Sequence, residues 1–158
     1  TTSITYSSST GATKGVTYNC VNRGITVHAV QVPTDTDSSA TYKLVIAAVS
    51  GASDTIGSIA GTSAVSVASS ASTVRHAFVF PTPVALTVGT RYAFLLVRTD
   101  GTATAVCRAS LTNGSGFSSS NLELVSYALY SSNNPVVTDN TRGGTGSIMT
   151  MTIDYTIT

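Results

Sequence analysis

Few side chains in this sequence are able to carry acid–base chemistry. The 158 residues include seven acidic residues and two histidines, and Glu123 is the only glutamate. Glu123 lies in an alternating, strand-like stretch, where a solvent-facing role explains it more simply than a role as general base. His28 and His76 also lie in strand-like stretches, and we expect one or both to be half-buried and hydrogen-bonded. No nucleophile, base and orienting group can be assembled from these residues, so the sequence predicts no enzymatic activity.

Metal and cofactor sites are not predicted either. Asp35 and Asp37 are two apart and such pairs can bind calcium, but the threonines around them and the lack of a third nearby acid favour a solvated loop. The two cysteines, Cys20 and Cys107, have no partner at metal-ligand spacing. They are either two buried free thiols or one disulfide, which would contribute at most ~4–5 kcal/mol.

Binding through loops is the chemistry that remains. The segments 127–135 and 139–146 combine tyrosine, asparagine, aspartate and arginine, which stack on sugar rings and hydrogen-bond to hydroxyl groups. The alternative explanation is that these residues serve the backbone geometry of turns. The candidate ligand-binding residues are Tyr130, Asn133, Asn134, Asp139 and Arg142.

The composition of the chain disfavours nucleic-acid-binding and membrane-spanning proteins. Charged residues make up 9% of the chain, against ~25% in an average soluble domain, while serine and threonine supply roughly a third. The polar surface is therefore mostly hydroxyl and amide. A net charge of +1 with scattered basic residues disfavours nucleic-acid binding. No apolar run approaches the ~20 residues of a membrane-spanning helix, so no membrane span is expected.

The sequence predicts that the candidate functional residues are positioned by β-strands. Residues 76–80 form an aromatic-rich strand that we expect to stop at Pro81. Gly89 supplies a turn into a second strand over 91–99, whose two alternating sets are both apolar, so it should be covered on both sides. An Asp-Gly pair at 100–101 then predicts a two-residue hairpin turn.

Further strands are expected on both sides of this block. They cover residues 25–32, ending at Pro33, then 41–49, weakly 56–59 and 64–68, then 122–130, and last 149–157 with a clear period of two. Eight to ten short strands with almost no helical periodicity predict an all-β protein, an antiparallel β-sandwich of jelly-roll type. Residues 1–13 form an N-terminal arm or edge strand, and 14–158 form a single sandwich domain.

The runs YKLVIAAV and HAFVFPTPVALTVGTRYAFLLVR, within residues 41–99, resemble a strand–turn–strand pattern of β-sandwich modules in bacteriophage tail-fibre and virion-surface proteins and in secreted bacterial surface proteins. The matching positions are core and turn residues, so no functional residue is carried over. The resemblance implies a non-enzymatic module on a virion surface or outside the cell.

The functional expectation follows from that resemblance and from the uncharged composition. The chain is expected to be a tail-fibre, spike or capsid decoration module with a structural or host-adhesion role. Its expected partners are further copies of itself, with a trimer favoured, other virion proteins and a host-surface glycan. The alternative is a secreted bacterial carbohydrate-binding module.

Overall fold

The computed structural model describes residues 3–7, 12–34, 41–64, 66–67, 74–98, 104–108, 118–131 and 151–158. These residues form strands and turns, and no helix occurs among them. In chain order the strands are β1 Ser3–Ser7, β2 Ala12–Cys20, β3 Ile25–Thr34, β4 Thr41–Ser50, β5 Thr55–Thr62, β6 Ser66–Val67, β7 Val74–Leu86, β8 Arg91–Arg98, β9 Thr104–Arg108, β10 Leu122–Ser131 and β11 Thr152–Ile157.

All pairings between these strands are antiparallel. The larger sheet has the order β10-β2-β8-β4-β5, with β6 pairing β4 beyond the end of β5, and the smaller sheet has the order β11-β3-β7. A separate ladder joins β1 to β9. Buried apolar residues from both sheets form one cluster between them. The predicted antiparallel β-sandwich is therefore confirmed.

The strand pairs are nested around the turn between β4 and β5. β4 pairs β5 in the larger sheet, β3 pairs β7 in the smaller sheet, and β2 pairs β8 in the larger sheet again. Successive pairs therefore alternate between the two sheets, as they do when one long hairpin wraps into a jelly roll.

Strand β8 is buried on both of its faces, as its sequence predicts. Tyr92, Phe94 and Leu96 point between the two sheets, and all are 6% exposed or less. The alternate residues belong to a second buried cluster on the other face of the larger sheet. Its members are Val45, Ala47, Val49, Ile56, Ala93, Leu95 and Val97.

The prolines do not end strands where the sequence predicted. β7 is one strand of 13 residues and runs through Pro81, so the predicted stop there is wrong. Its ladder with β3 pairs Val79 with Ala29 and then Val84 with Val27. Residues 80–83 thus have no partner on β3, and the missing proline N–H interrupts no hydrogen bond of that ladder.

Pro33 is likewise inside a strand, because β3 continues to Thr34. The last residue of β3 paired with β11 is Gln31, while Pro33 lies opposite Arg75 of β7. Proline is tolerated at this place since only one strand of the described part neighbours β3 there. The predicted turn at Gly89 is confirmed, with a φ of 82° and a hydrogen bond from the Thr90 N–H to the Thr87 carbonyl at 3.2 Å.

The two sheets meet along β5 and β7. The Ala64 N–H donates to the Val79 carbonyl at 3.0 Å. Gly61 lies against the Val84 side chain so closely that an added Cβ would overlap it. At the opposite edge of the sandwich, β10 and β2 of the larger sheet face β11 of the smaller one across a groove.

Two further predictions, for the N-terminal segment and for the Asp-Gly turn, are covered only in part by the described residues. Within the segment 1–13, β1 pairs with β9, placing Ile4 opposite Cys107, and β2 begins at Ala12. The predicted Asp-Gly turn at 100–101 lies outside the described residues.

Candidate functional site

The groove between β10, β2 and β11 has a volume of about 250 Å³. That is smaller than the ~300–1,000 Å³ of sites for drug-sized ligands, so it suits a single ring. Its lining combines aromatic, aliphatic and hydroxyl side chains from all three elements and the segment before β10. The lining residues are Tyr18, Ser118, Ser119, Leu122, Met151, Thr152, Ile153 and Tyr155.

Strand periodicity puts the apolar side chains on the groove side of β11. Ile153 and Tyr155 are half-buried, while Thr152 and Asp154 are exposed, so the alternating face predicted for this stretch is present. Ile157 continues the apolar set beyond the groove but is 54% exposed. The first half of β11 therefore covers the core, and the last residues of β11 are exposed to solvent.

Tyr18 is the residue of β2 that lines the groove. Its ring packs edge-on against Phe94, with ring centroids 5.5 Å apart and planes at 83°, a favourable aromatic geometry. The side chain is 2% exposed. Burial raises the pKa of Tyr18 to about 12, so its hydroxyl is protonated at physiological pH.

The serines at the rim are held in place by the start of β10. The Ser119 Oγ accepts hydrogen bonds from the N–H groups of Leu122 at 3.1 Å and Asn121 at 3.3 Å. The Ser118 Oγ accepts one from the Leu124 N–H at 3.0 Å. Serine hydroxyls commonly satisfy backbone N–H groups in this way at turns. Both hydroxyls are therefore positioned before any ligand arrives.

A second set of contacts ties this rim segment to the turn after β2. The Val21 N–H donates to the Asn121 carbonyl at 2.8 Å, and the Asn22 side-chain amide donates to the Ser120 carbonyl. Asn22 has a φ of 60°, a conformation that asparagine tolerates better than most residues. Across the groove the Tyr155 hydroxyl lies 3.3 Å from the Ser119 Oγ, linking β11 to the rim.

Three charged side chains, Asp54, Arg91 and Glu123, form a hydrogen-bonded row with Asn19, and none of the four lines the groove. Arg91 of β8 donates through Nη1 to the Asp54 Oδ1 at 2.6 Å and through Nε to the Asn19 Oδ1 at 3.2 Å. The Asn19 side-chain amide in turn donates to the Glu123 Oε2 at 3.3 Å. The row therefore connects the turn before β5 with β8, β2 and β10.

The histidines are placed on the smaller sheet. His28 is half-buried on β3, and its Nε2 lies 3.0 Å from the Thr156 Oγ1 of β11. His76 is half-buried on β7. Within the described ranges, no three or more His, Cys, Asp or Glu side chains come together in a way that could hold a metal ion. Nor does that part of the chain contain a helix able to cross a bilayer.

Of the five predicted ligand-binding residues, one lies on a described element. Tyr130 is in β10, opposite Thr13 of β2. The other four, Asn133, Asn134, Asp139 and Arg142, lie outside the described residues. The prediction that these five residues bind a ligand therefore stays a prediction.

Cys20 is a buried free thiol in this structure. Its Sγ lies 3.5 Å from the Arg23 carbonyl and 3.7 Å from the Leu86 carbonyl, and burial raises its pKa. Cys107 lies in β9, but its side chain is outside what the structure describes. The disulfide alternative between Cys20 and Cys107 stays open.

The groove residues were not among the predicted site residues. The period of two over 149–157 puts Tyr155 on the apolar side of that strand, and Ser118 and Ser119 precede the strand predicted over 122–130. Tyr18 precedes Ser119 by about a hundred positions, so no local pattern brings them together. The one available signal is an aromatic residue near the end of an alternating strand, where the core face reaches the edge of a sheet.

Comparison with known proteins found no relative of this chain. No protein-family model, curated protein or solved structure matches the chain. The function is accordingly inferred from the residues of the chain and their geometry.

Proposed function

We propose that this chain is a non-enzymatic surface module of a bacteriophage particle, a tail-fibre, spike or capsid decoration domain with a structural or host-adhesion role. The observation that carries the proposal is the row from Asp54 through Arg91 and Asn19 to Glu123. It commits the only glutamate of the chain, and the most buried carboxylate among the described residues, to joining neighbouring strands.

Composition and fold support the same proposal. A jelly-roll sandwich holds its loops on a rigid frame, and proteins commonly place binding residues on such loops. The surface is rich in serine and threonine and has a net charge of +1, so hydrogen bonding rather than charge attraction governs its contacts. Neutral, hydroxylated partners such as host-surface glycans suit that surface.

Self-association is the second part of the proposal, and a trimer is favoured. Val79 of β7 and Ile59 of β5 are 54% and 42% exposed, and they lie on the two strands where the sheets meet. Apolar side chains on a shared edge are suited to contact with a neighbouring subunit. Assemblies of identical chains are symmetric, and a repeated particle surface requires such symmetry.

A secreted bacterial carbohydrate-binding module is the second candidate. The groove favours it, because Tyr155 and the serine hydroxyls offer the combination of aromatic face and hydrogen-bonding groups that sugars use. Such a module is expected to be monomeric and fused to an enzyme.

Two measurements test the proposal. Light scattering coupled to size exclusion should give a trimer, and Val79→Asp should shift it to a monomer, while Val88→Asp, 47% exposed in the turn after β7, should leave it unchanged. Gold-labelled antibody against the chain should decorate intact phage particles from the native source. A strict monomer whose parent polypeptide carries a hydrolase domain would overturn the first proposal in favour of the second.

A further inference from the structure

Tyr18 contributes a phenol to the lining of the groove from β2. The residue as a whole is 2% exposed, so its ring is packed in the core. A tyrosine placed in this way combines an apolar body with a hydroxyl that forms hydrogen bonds. Since Tyr18 lines the groove, a ligand in the groove is placed to form a hydrogen bond with that hydroxyl.

The rest of the lining sets the character of that ligand. None of the eight lining residues is charged, so a charged ligand would lose water without gaining a compensating partner. Leu122, Met151 and Ile153 make one part of the groove apolar. The ligand must therefore be neutral and must present an apolar face as well as polar groups.

The polar groups of the groove are arranged for a compact, hydroxylated ring. The Ser119 Oγ and the Tyr155 hydroxyl lie 3.3 Å apart at the rim, and Tyr18 lines the same groove from β2. Ser119 is held by the N–H groups of Leu122 and Asn121, so little ordering accompanies binding. The half-buried ring of Tyr155 offers a surface for stacking.

We propose that this groove binds one neutral saccharide ring, stacked on Tyr155 and hydrogen-bonded to the hydroxyls of Tyr18 and Ser119. The inference rests on the proposed adhesive function and names the class of ligand. With a volume of about 250 Å³, the groove accepts the terminal residue of a glycan rather than a length of chain.

The test is a titration of the intact chain with methyl pyranosides of glucose, galactose, mannose and N-acetylglucosamine, followed by amide chemical shifts. At least one of these probes should shift the amides of Ser119, Leu122 and Ile153. Tyr155→Ala should weaken that binding by roughly tenfold or more, and Tyr18→Phe should weaken it by roughly three- to tenfold, the range of one hydrogen bond.

The control is Tyr92→Phe, which makes the same chemical change at the residue paired with Tyr18 on β8. The Tyr92 hydroxyl accepts from the Thr87 N–H at 3.0 Å and does not line the groove, so saccharide affinity should be unchanged. Thermal unfolding of each variant separates lost binding from lost folding. The charged methyl glycoside of N-acetylneuraminic acid should not bind.

Three results would overturn the inference. They are the absence of shifts at the groove with every neutral probe, binding that survives Tyr155→Ala, and equal binding of the charged glycoside. If no saccharide binds in the groove but the antibody still labels phage particles, the saccharide site is excluded and the proposed function is unaffected. If a saccharide binds in the groove but no phage particle is labelled, the saccharide site is supported and the secreted carbohydrate-binding module becomes the favoured function.

Discussion

The guanidinium of Arg91 lies 2.6 Å from the carboxylate of Asp54, and the two side chains differ sharply in exposure. The Asp54 side chain is 1% exposed, whereas that of Arg91 is 33% exposed. Asp54 also has a φ of 44° at the end of the turn between β4 and β5. The pair therefore secures a strained turn to the neighbouring strand β8.

Removing either partner should destabilise the protein, but by different amounts. Arg91→Ala leaves a buried carboxylate without its guanidinium and should lower the free energy of unfolding by about 3 kcal/mol. Asp54→Asn leaves a cation that reaches water and a residue that tolerates positive φ, so it should cost about 1 kcal/mol. Urea denaturation measures both. Arg23→Ala, at an exposed residue, is the control, and equal losses for Arg91→Ala and Arg23→Ala would contradict the role of the pair.

Gly15 is required by the close approach of β2 to β8. A Cβ at this position would overlap the carbonyl of Phe94, which is backbone and cannot rotate away. Gly15→Ala should therefore lower the free energy of unfolding by about 1–3 kcal/mol or more. Gly57→Ala is the matched control, since its Cβ would lie 3.7 Å from the Ala48 carbonyl oxygen. Similar melting temperatures for the two variants would show that the strands are able to separate to make room.

Between β5 and β6, the Ser63 side chain accepts a hydrogen bond from a backbone N–H of β4. Its Oγ accepts from the Leu44 N–H at 2.8 Å, and its own N–H donates to the Leu44 carbonyl at 2.8 Å. Ser63→Ala leaves the buried Leu44 N–H without this acceptor and should cost about 1–3 kcal/mol. Ser58→Ala, at an exposed position of β5, should be close to neutral. Chemical denaturation of the two variants checks the difference, which would vanish if water took the place of the hydroxyl.

The phenol of Tyr18 should make folding sensitive to alkaline pH. Burial raises its pKa from 10.0 to about 12 in the folded state, so the unfolded chain loses this proton at lower pH. The resulting stability is fully present below pH 10 and is lost as the pH rises towards 12, by about 2–3 kcal/mol in all. Tyr18→Phe should show a correspondingly shallower decline in urea-unfolding free energy over this range. Parallel declines in the two proteins would exclude the effect.

Cys20 should be protected in the folded protein and reactive after unfolding. Its thiol is buried, and burial raises its pKa, so the nucleophilic thiolate is scarce. Iodoacetamide in urea without reductant is expected to add two carbamidomethyl groups, one for each cysteine, and one group in Cys20→Ala. A mass that stays unchanged in urea would instead show that Cys20 and Cys107 are joined by a disulfide.

Local patterns determined the class of fold. Alternate residues of β8 form two apolar sets, one on each face of the strand. Such a strand must be covered on both faces, and the structure buries both sets: Tyr92, Phe94 and Leu96 on one face, and Ala93, Leu95 and Val97 on the other. The turn at Gly89 followed from the need for a positive φ. Such features depend on residues within a few positions of each other, so they can be read along the chain.

Tertiary structure alone decided how the prolines were used and where the groove lies. Pro81 stays within β7 because residues 80–83 have no partner on β3, a fact of register between strands about fifty residues apart. Tyr18, Ser119 and Tyr155 meet only because β10 and its neighbour β2 in one sheet lie against β11 of the other. A sequence pattern records which face of a strand is apolar, but the neighbour that each face meets depends on strand order, which is set by packing across the whole domain.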